Sequence, residues 1–207
     1  MPCAISPLKL FYPWSQDYIV ARPMRRPRKG LDFFAISHET GVPSGTIRAE
    51  ARPVFSGVVE FILNEDPTRT PVGTPAMPGY GNAVVVRHNA EFDNVAIPGL
   101  PPVFWTIYAN LASVDPSIRR GEPVDALRVL GVPGATSNGR FRLNPPRVHF
   151  EVRSALPPGD LRADSIDPVQ VLSAGGVLIG PGGLVNYIRG ADNGDPRCSQ
   201  AERSIRS

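Results

Sequence analysis

Pro145-Pro-Arg-Val-His-Phe-Glu-Val-Arg153 is the stretch whose pattern decides the fold class. From Arg147 onward successive residues alternate as on a strand, so Arg147, His149 and Glu151 share one face while Val148, Phe150 and Val152 share the other. One face suits chemistry and the other suits a core. A strand fixes the Cα of His149, and a neighbouring group can fix its tautomer, which makes it a well-positioned metal ligand or proton carrier. A lone histidine on a strand is more often a hydrogen-bonded structural residue than a ligand, so the remaining sequence has to decide.

The chain has 207 residues, enough for one domain with a core, or for a domain of about 150 residues with extended arms. The second arrangement fits the sequence texture better. Proline (24) and glycine (20) disfavour long helices and favour short strands joined by turns, so the expected class is all-β, a compact antiparallel sheet. No apolar run has the length of a bilayer-spanning helix, so no membrane span is expected. The formal charge of +3 is compatible with anionic partners such as cell-wall polymers or nucleic acid. Nucleic acid is rejected as a partner: outside Arg22–Lys29 the basic residues are scattered, and aromatic residues do not interleave with them as a stacking platform. Cys3 and Cys198 lie near opposite ends. One disulfide or two lone thiols suit them equally. Pro2, Pro7 and Pro13 interrupt the N-terminus, which lacks the pattern of a secretory signal. If Met1 is the native start, the expected location is cytoplasmic, phage-associated or reached by a non-classical export route.

Residues 1–27 read as an arm whose aromatics (Phe11, Tyr12, Trp14, Tyr18) pack on the domain, ending in a basic run. The domain is expected over 28–174, with a C-terminal extension over 175–207 that becomes a polar, partly disordered tail from Arg189. Gly30–Ala35 reads as an apolar strand with one embedded carboxylate, Asp32, which requires a partner. Val54–Leu63 reads as a strand with a bulge or close backbone approach at Gly57. Ala83–His88 is valine-rich and expected to be buried on both faces, and Val103–Leu111 is again strand-like. Asp167-Pro168 closes the domain.

In order, Gly30-Leu-Asp, Ser56-Gly-Val-Val, Tyr80-Gly-Asn-Ala-Val-Val-Val-Arg-His, Ile107-Tyr-Ala-Asn-Leu, Arg120-Gly-Glu-Pro-Val, Val148-His-Phe-Glu-Val and Asp167-Pro resemble the lysostaphin/LytM-type zinc endopeptidases of bacterial cell walls. The likeness runs from about Arg28 to Leu172. It implies a compact antiparallel β fold of the duplicated-hybrid-motif kind, with a groove over one sheet in which family members cleave peptidoglycan cross-bridges.

The departures bear on chemistry. Where the family has H-x-G-x-D, supplying two zinc ligands, this chain reads Arg28-Lys-Gly-Leu-Asp32. Where it has H-x-H, supplying a catalytic histidine and a ligand, this chain reads Arg147-Val-His149. The active-site histidine of Y-x-H-L is replaced by Asn110. A hydrolytic zinc site needs three protein ligands and an open position, and Asp32 with His149 supplies two. A guanidinium offers no lone pair and repels a dication, so Arg28 does not fill the third. Arg147 and Asn110 do not take a proton from water near neutral pH as imidazole does. His38 is a low-probability substitute ligand in a loop, and His88 is most simply structural. Without zinc, Asp32 and His149 are expected to bond each other or to pair with Arg28 and Arg147. The functional variant is a binding groove in which Arg28, Arg147 and Asn110 hold a ligand carboxylate or phosphate.

Three functions follow as expectations. The first is a non-catalytic domain acting as a binding or regulatory module associated with peptidoglycan or a cell-wall enzyme, with no cofactor. The second is a zinc-dependent peptidoglycan endopeptidase with an altered ligand set. The third is a structural component of a phage tail or injection apparatus, contacting its neighbours through the terminal arms.

Overall fold

The structure is a computed structural model that describes residues 8–10, 17–23, 30–37, 49–65, 68, 70–75, 77–90, 100–125, 128–137, 146–156, 164–174, 177–179 and 185–187. Among these residues the chain forms β1 (Leu8–Leu10), β2 (Asp17–Pro23), β3 (Gly30–Ser37), β4 (Ala49–Ala51), β5 (Gly57–Leu63), β6 (Asn82–Asn89), β7 (Val103–Val114), β8 (Pro123–Val124), β9 (Gly131–Pro133), β10 (Val148–Arg153), β11 (Ser165–Ile166), the helix α1 (Pro168–Ala174), β12 (Val177–Ile179) and β13 (Val185–Tyr187). Every strand pair is antiparallel, as the all-β expectation requires. No helix among the described residues is long and apolar enough to cross a membrane.

The main sheet runs β1-β4-β9-β7-β10-β3-β2, and β6, β5 and β8 extend it from β7. β10 therefore lies between β7 and β3. His149 is paired with Ala109 on one side and Asp32 on the other, and Glu151 with Ile107 and Gly30. This register converts the alternation of Arg147–Arg153 into two opposed faces. Val148, Phe150 and Val152 join Leu31, Phe33, Val84, Val86 and Phe104 in the larger core, which Val171 and Leu172 of α1 help close. Tyr80, Ala83, Val85, Ile107 and Ala109 form a smaller cluster on the other face. Burying one large apolar side chain is worth about 1.5–3 kcal/mol, so a central strand buried on both faces is a strong anchor. Val84, Val85 and Val86 are all fully buried, as the valine run predicts.

Residues 1–27 supply β1 and β2, and β2 pairs with β3 over Asp17–Pro23. Their side chains lie outside the described set, as do Cys3, Cys198 and the tail from 188 onward. The strand expected over Val54–Leu63 is shorter, beginning at Gly57. Before it, the Val54 amide donates to the Tyr108 hydroxyl and the Ser56 carbonyl meets the His88 ring, so these groups are taken from the ladder. At Gly57 a Cβ would lie 2.5 Å from the Arg87 carbonyl oxygen, the expected close approach. The register irregularity falls further on, between Val59 and Phe61. Asp167-Pro168 starts α1: the Asp167 carboxylate accepts from the Val169 amide at 2.9 Å, and proline occupies the first helical position, where no N–H is needed.

Candidate functional site

The registers of β3, β10 and β7 assemble a buried charged cluster on the face opposite the larger core. His149, on β10, donates from Nδ1 to Asp32 Oδ1 at 2.8 Å and from Nε2 to Glu151 Oε1 at 2.8 Å. Glu151 accepts from Arg153 Nε at 2.9 Å and from the Tyr80 hydroxyl at 2.9 Å, both through Oε2. Arg153 Nη2 also reaches the Tyr80 hydroxyl at 3.3 Å. On the other side of Asp32, Oδ2 lies 3.3 Å from Arg147 Nε, a charge contact without hydrogen-bond geometry, which leaves Nε buried and unbonded.

Gly30 makes room for this arrangement. A Cβ there would sit 2.5 Å from His149 Cε1, 3.1 Å from Nε2 and 3.2 Å from Glu151 Cγ. The histidine ring thus lies directly against the β3 backbone, and the glycine two positions before Asp32 is a packing requirement of the site.

The proton inventory of His149 follows from its partners. Two ionised carboxylates can only accept, so both ring nitrogens must carry hydrogen and the ring is an imidazolium. Burial alone would lower its pKa, but the bonds to Asp32 and Glu151 and their charges prevail, and the net shift is upward. For Glu151, burial pushes the pKa up, and the bonds and charges of His149 and Arg153 with the Tyr80 bond outweigh it, holding the carboxyl at about 2. The pair is consistent: a cation between two anions, closed at the Glu151 end by a second arginine.

A zinc ligand must present a lone pair, and here neither nitrogen of His149 has one. Asp32 is engaged through both oxygens, one by His149 and one by the Arg147 guanidinium, which repels a dication. Among the described residues no group of three or more His, Cys, Asp or Glu is arranged to hold a metal ion. The described residues as arranged do not fit zinc.

Of the residues singled out in the sequence, Asp32, His149 and Arg147 come together here. Arg28 and His38 lie outside the described residues. Asn110 is on β7, one residue past the partner of His149, but its amide is directed elsewhere: Nδ2 donates to the carbonyls of Tyr80 at 3.2 Å and Thr136 at 2.9 Å. Its backbone has φ of 60°, and its own N–H donates to the Tyr80 carbonyl at 2.8 Å. Asn110 therefore fixes the main chain of the residue whose hydroxyl holds Glu151.

His88 lies in the larger core. Nδ1 is 2.7 Å from the Ser56 carbonyl oxygen and Nε2 is 2.7 Å from Thr106 Oγ1. A carbonyl only accepts, so Nδ1 carries the proton and Nε2 accepts from the Thr106 hydroxyl. The ring stacks on Phe104 at 4.8 Å, and burial drives its pKa down to about 4. This histidine is neutral and structural.

Glu151, Tyr80 and Arg153 complete the cluster without having been singled out as site residues. The alternation placed Glu151 and Arg153 on the face of His149, which was an available signal. Tyr80 is 71 positions from Glu151, and no local pattern announces that contact.

No family model matches the sequence, and no curated protein matches it. Among solved structures, the chain is similar to a protein of Pseudomonas aeruginosa described as a peptidase of the M23 type, at 21% identity over 84% of this chain and 55% of that one, TM-score 0.45. It is similar to the catalytic domain of the antimicrobial peptidase lysostaphin from Staphylococcus simulans, at 18% identity over 76% of this chain and 91% of that one, TM-score 0.45. Csd3 from Helicobacter pylori matches at 18% identity over 99% of this chain and 41% of that one, TM-score 0.44. The chain thus spans about half the length of the Pseudomonas protein and less of the Helicobacter one, and these are likenesses of fold.

Proposed function

We propose that this chain is a non-catalytic LytM-like domain that acts as a binding or regulatory module at peptidoglycan or on a cell-wall enzyme. One observation carries this: the imidazole in the place of a zinc ligand is held between two carboxylates, Asp32 and Glu151, at 2.8 Å each. A hydrolytic site requires that ring to be neutral, ligating and next to an open coordination position. The motif departures support the same reading, since Arg28, Arg147 and Asn110 stand where the family carries histidines. The bonded cluster provides what a structural metal would otherwise provide, a tie across the sheet between β3 and β10.

Elemental mass spectrometry on protein purified from metal-replete medium without chelators tests the inactive site, and co-sedimentation with purified peptidoglycan tests the binding role. The expected result is a zinc content near zero, no release of soluble cross-bridge peptides, and sedimentation with the cell-wall polymer. About one zinc per chain, with cleavage, would overturn the proposal and turn attention to a site of Asp32 and His149 completed by His38.

A further inference from the structure

Arg147 and Arg153 lie on the same face of the central strand, yet they are held differently. Arg153, 1% exposed, has bonds from Nε to Glu151 and from Nη2 to Tyr80. Arg147 also carries five N–H donors. Among the described residues its one polar side-chain contact is the 3.3 Å approach of Nε to Asp32 Oδ2. It is nonetheless packed against its surroundings. The side chain is 16% exposed, and the guanidinium carbon lies 5.9 Å from the centre of the Phe34 ring. The backbone N–H donates to the Gly134 carbonyl at 2.8 Å, and the backbone carbonyl accepts from the Gly134 amide at 3.1 Å.

A guanidinium packed in this way has less rotamer freedom left for binding to remove than one on an open surface. Its charge is only partly compensated, because Asp32 is shared with His149. Nε is enclosed, and among the described residues Nη1 and Nη2 have no hydrogen-bond partner, on a side chain that with Asp32 is less buried than His149, Glu151 and Arg153.

We infer that the Nη edge of Arg147 is a docking point for a ligand carboxylate, whose two coplanar oxygens match the guanidinium fork. The inference rests on the non-catalytic reading above and adds a ligand chemistry to it. A monoanion is favoured over a phosphate dianion because Asp32 is already against the same guanidinium and repels a second charge more strongly. The carboxylate comes from a peptide C-terminus or from an acidic side chain.

Titration of protein carrying 15N-labelled arginine, followed at the Arg147 Nε–H signal, tests this. The probes are acetyl-D-alanyl-D-alanine, its C-terminal amide, acetyl-aspartate amide and inorganic phosphate. Expected is a saturable shift with one or both acids, with affinity at least about tenfold weaker for the amide of the dipeptide if the terminus is the source. If the side chain is the source, acetyl-aspartate amide produces the shift and the dipeptide does not. In the variants, which lack that signal, binding is followed by isothermal titration calorimetry alongside the unaltered protein: affinity falls in Arg147→Lys, which keeps the charge and loses the fork, and binding is lost in Arg147→Gln. Silence with both acids, a stronger response to phosphate than to either acid, or unchanged affinity in both variants would overturn it. Should the variants unfold, the comparison of probes on the unaltered protein decides alone. A zinc-free protein that sediments with peptidoglycan but ignores both acids overturns this inference only, whereas a zinc-loaded one overturns the non-catalytic reading with it.

Discussion

Gly30 is where the sequence and the charged cluster meet at a single atom. A methyl group added there would be 2.5 Å from His149 Cε1, and the opposing atom belongs to a ring bonded at both nitrogens, so it cannot yield without breaking a bond. Moving the ring leaves Glu151, 0% exposed, with one donor fewer. Gly30→Ala is expected to lower stability by about 1.5–3 kcal/mol, the range for opening a hydrogen bond to a charged group, measured by urea unfolding. A change under about 0.5 kcal/mol would mean that His149 does not pack on β3 in this way. At this scale the sequence is half legible. Asp32 and His149 stand out because an apolar strand with one carboxylate and a strand with one histidine both demand partners. Glu151 was visible on the same face, but its bond to His149 Nε2 depends on the ring turning along its own strand, which alternation does not specify. Tyr80 was hidden in a glycine-rich turn.

Among the elements, β7 carries the least regular feature, the left-handed backbone of Asn110 within a strand that is otherwise extended. Asparagine tolerates that conformation better than most residues, and here its side chain also ties the strand to Tyr80 and Thr136. Two substitutions separate these contributions. Asn110→Gly removes the amide bonds and keeps the backbone unstrained, whereas Asn110→Ala removes the same bonds and adds the left-handed penalty of about 1–2 kcal/mol. Alanine should therefore be the more destabilising by about 1 kcal/mol in matched urea curves, and equal effects would show that the φ of 60° carries no cost. The elements themselves were mostly legible, because valine runs and alternation determine strands wherever both faces or one face are buried. The beginning of β5 was not. Val54 and Ser56 have strand-like neighbours, and only the tertiary bonds to Tyr108 and His88 divert them. The start of α1 carried a readable signal in Asp167-Pro168, a helix cap followed by a proline, which the expectation of a domain boundary passed over.

For the whole molecule, the first loss of stability on acidification below neutral pH comes from a histidine remote from the charged cluster. His88 is fully buried, and its Nε2 accepts from Thr106, whose hydroxyl is 3.1 Å from that of Tyr108; Tyr108 in turn accepts from the Val54 amide. With Nδ1 donating to Ser56, the bonds run in one direction, from Val54 through Tyr108 and Thr106 to His88. Protonating Nε2 reverses the last link and leaves one of the two hydroxyl hydrogens, that of Thr106 or that of Tyr108, without an acceptor in a core lined by Phe55 and Phe104. The unfolded chain takes up this proton near 6.5 and the folded one near 4, so between these values the unfolded state binds more protons. The His88 contribution to folding free energy is therefore fully retained above about pH 6.5, declines as pH falls toward 4, and levels off below that, whereas His149, whose folded pKa is raised, contributes stability that is lost on the alkaline side as pH rises through its folded value. The decline amounts to roughly 3 kcal/mol at 1.36 kcal/mol per pKa unit. Glu151, held at about 2, begins to contribute a separate loss below 4.5, so its window adjoins that of His88 on the acid side. Chemical denaturation at a series of pH values isolates the two, because His88→Gln should flatten the slope between pH 6.5 and 4 whatever it does to the absolute stability. A slope that survives His88→Gln would assign the acid sensitivity to another group and would mean that the buried hydroxyl chain does not hold His88 neutral.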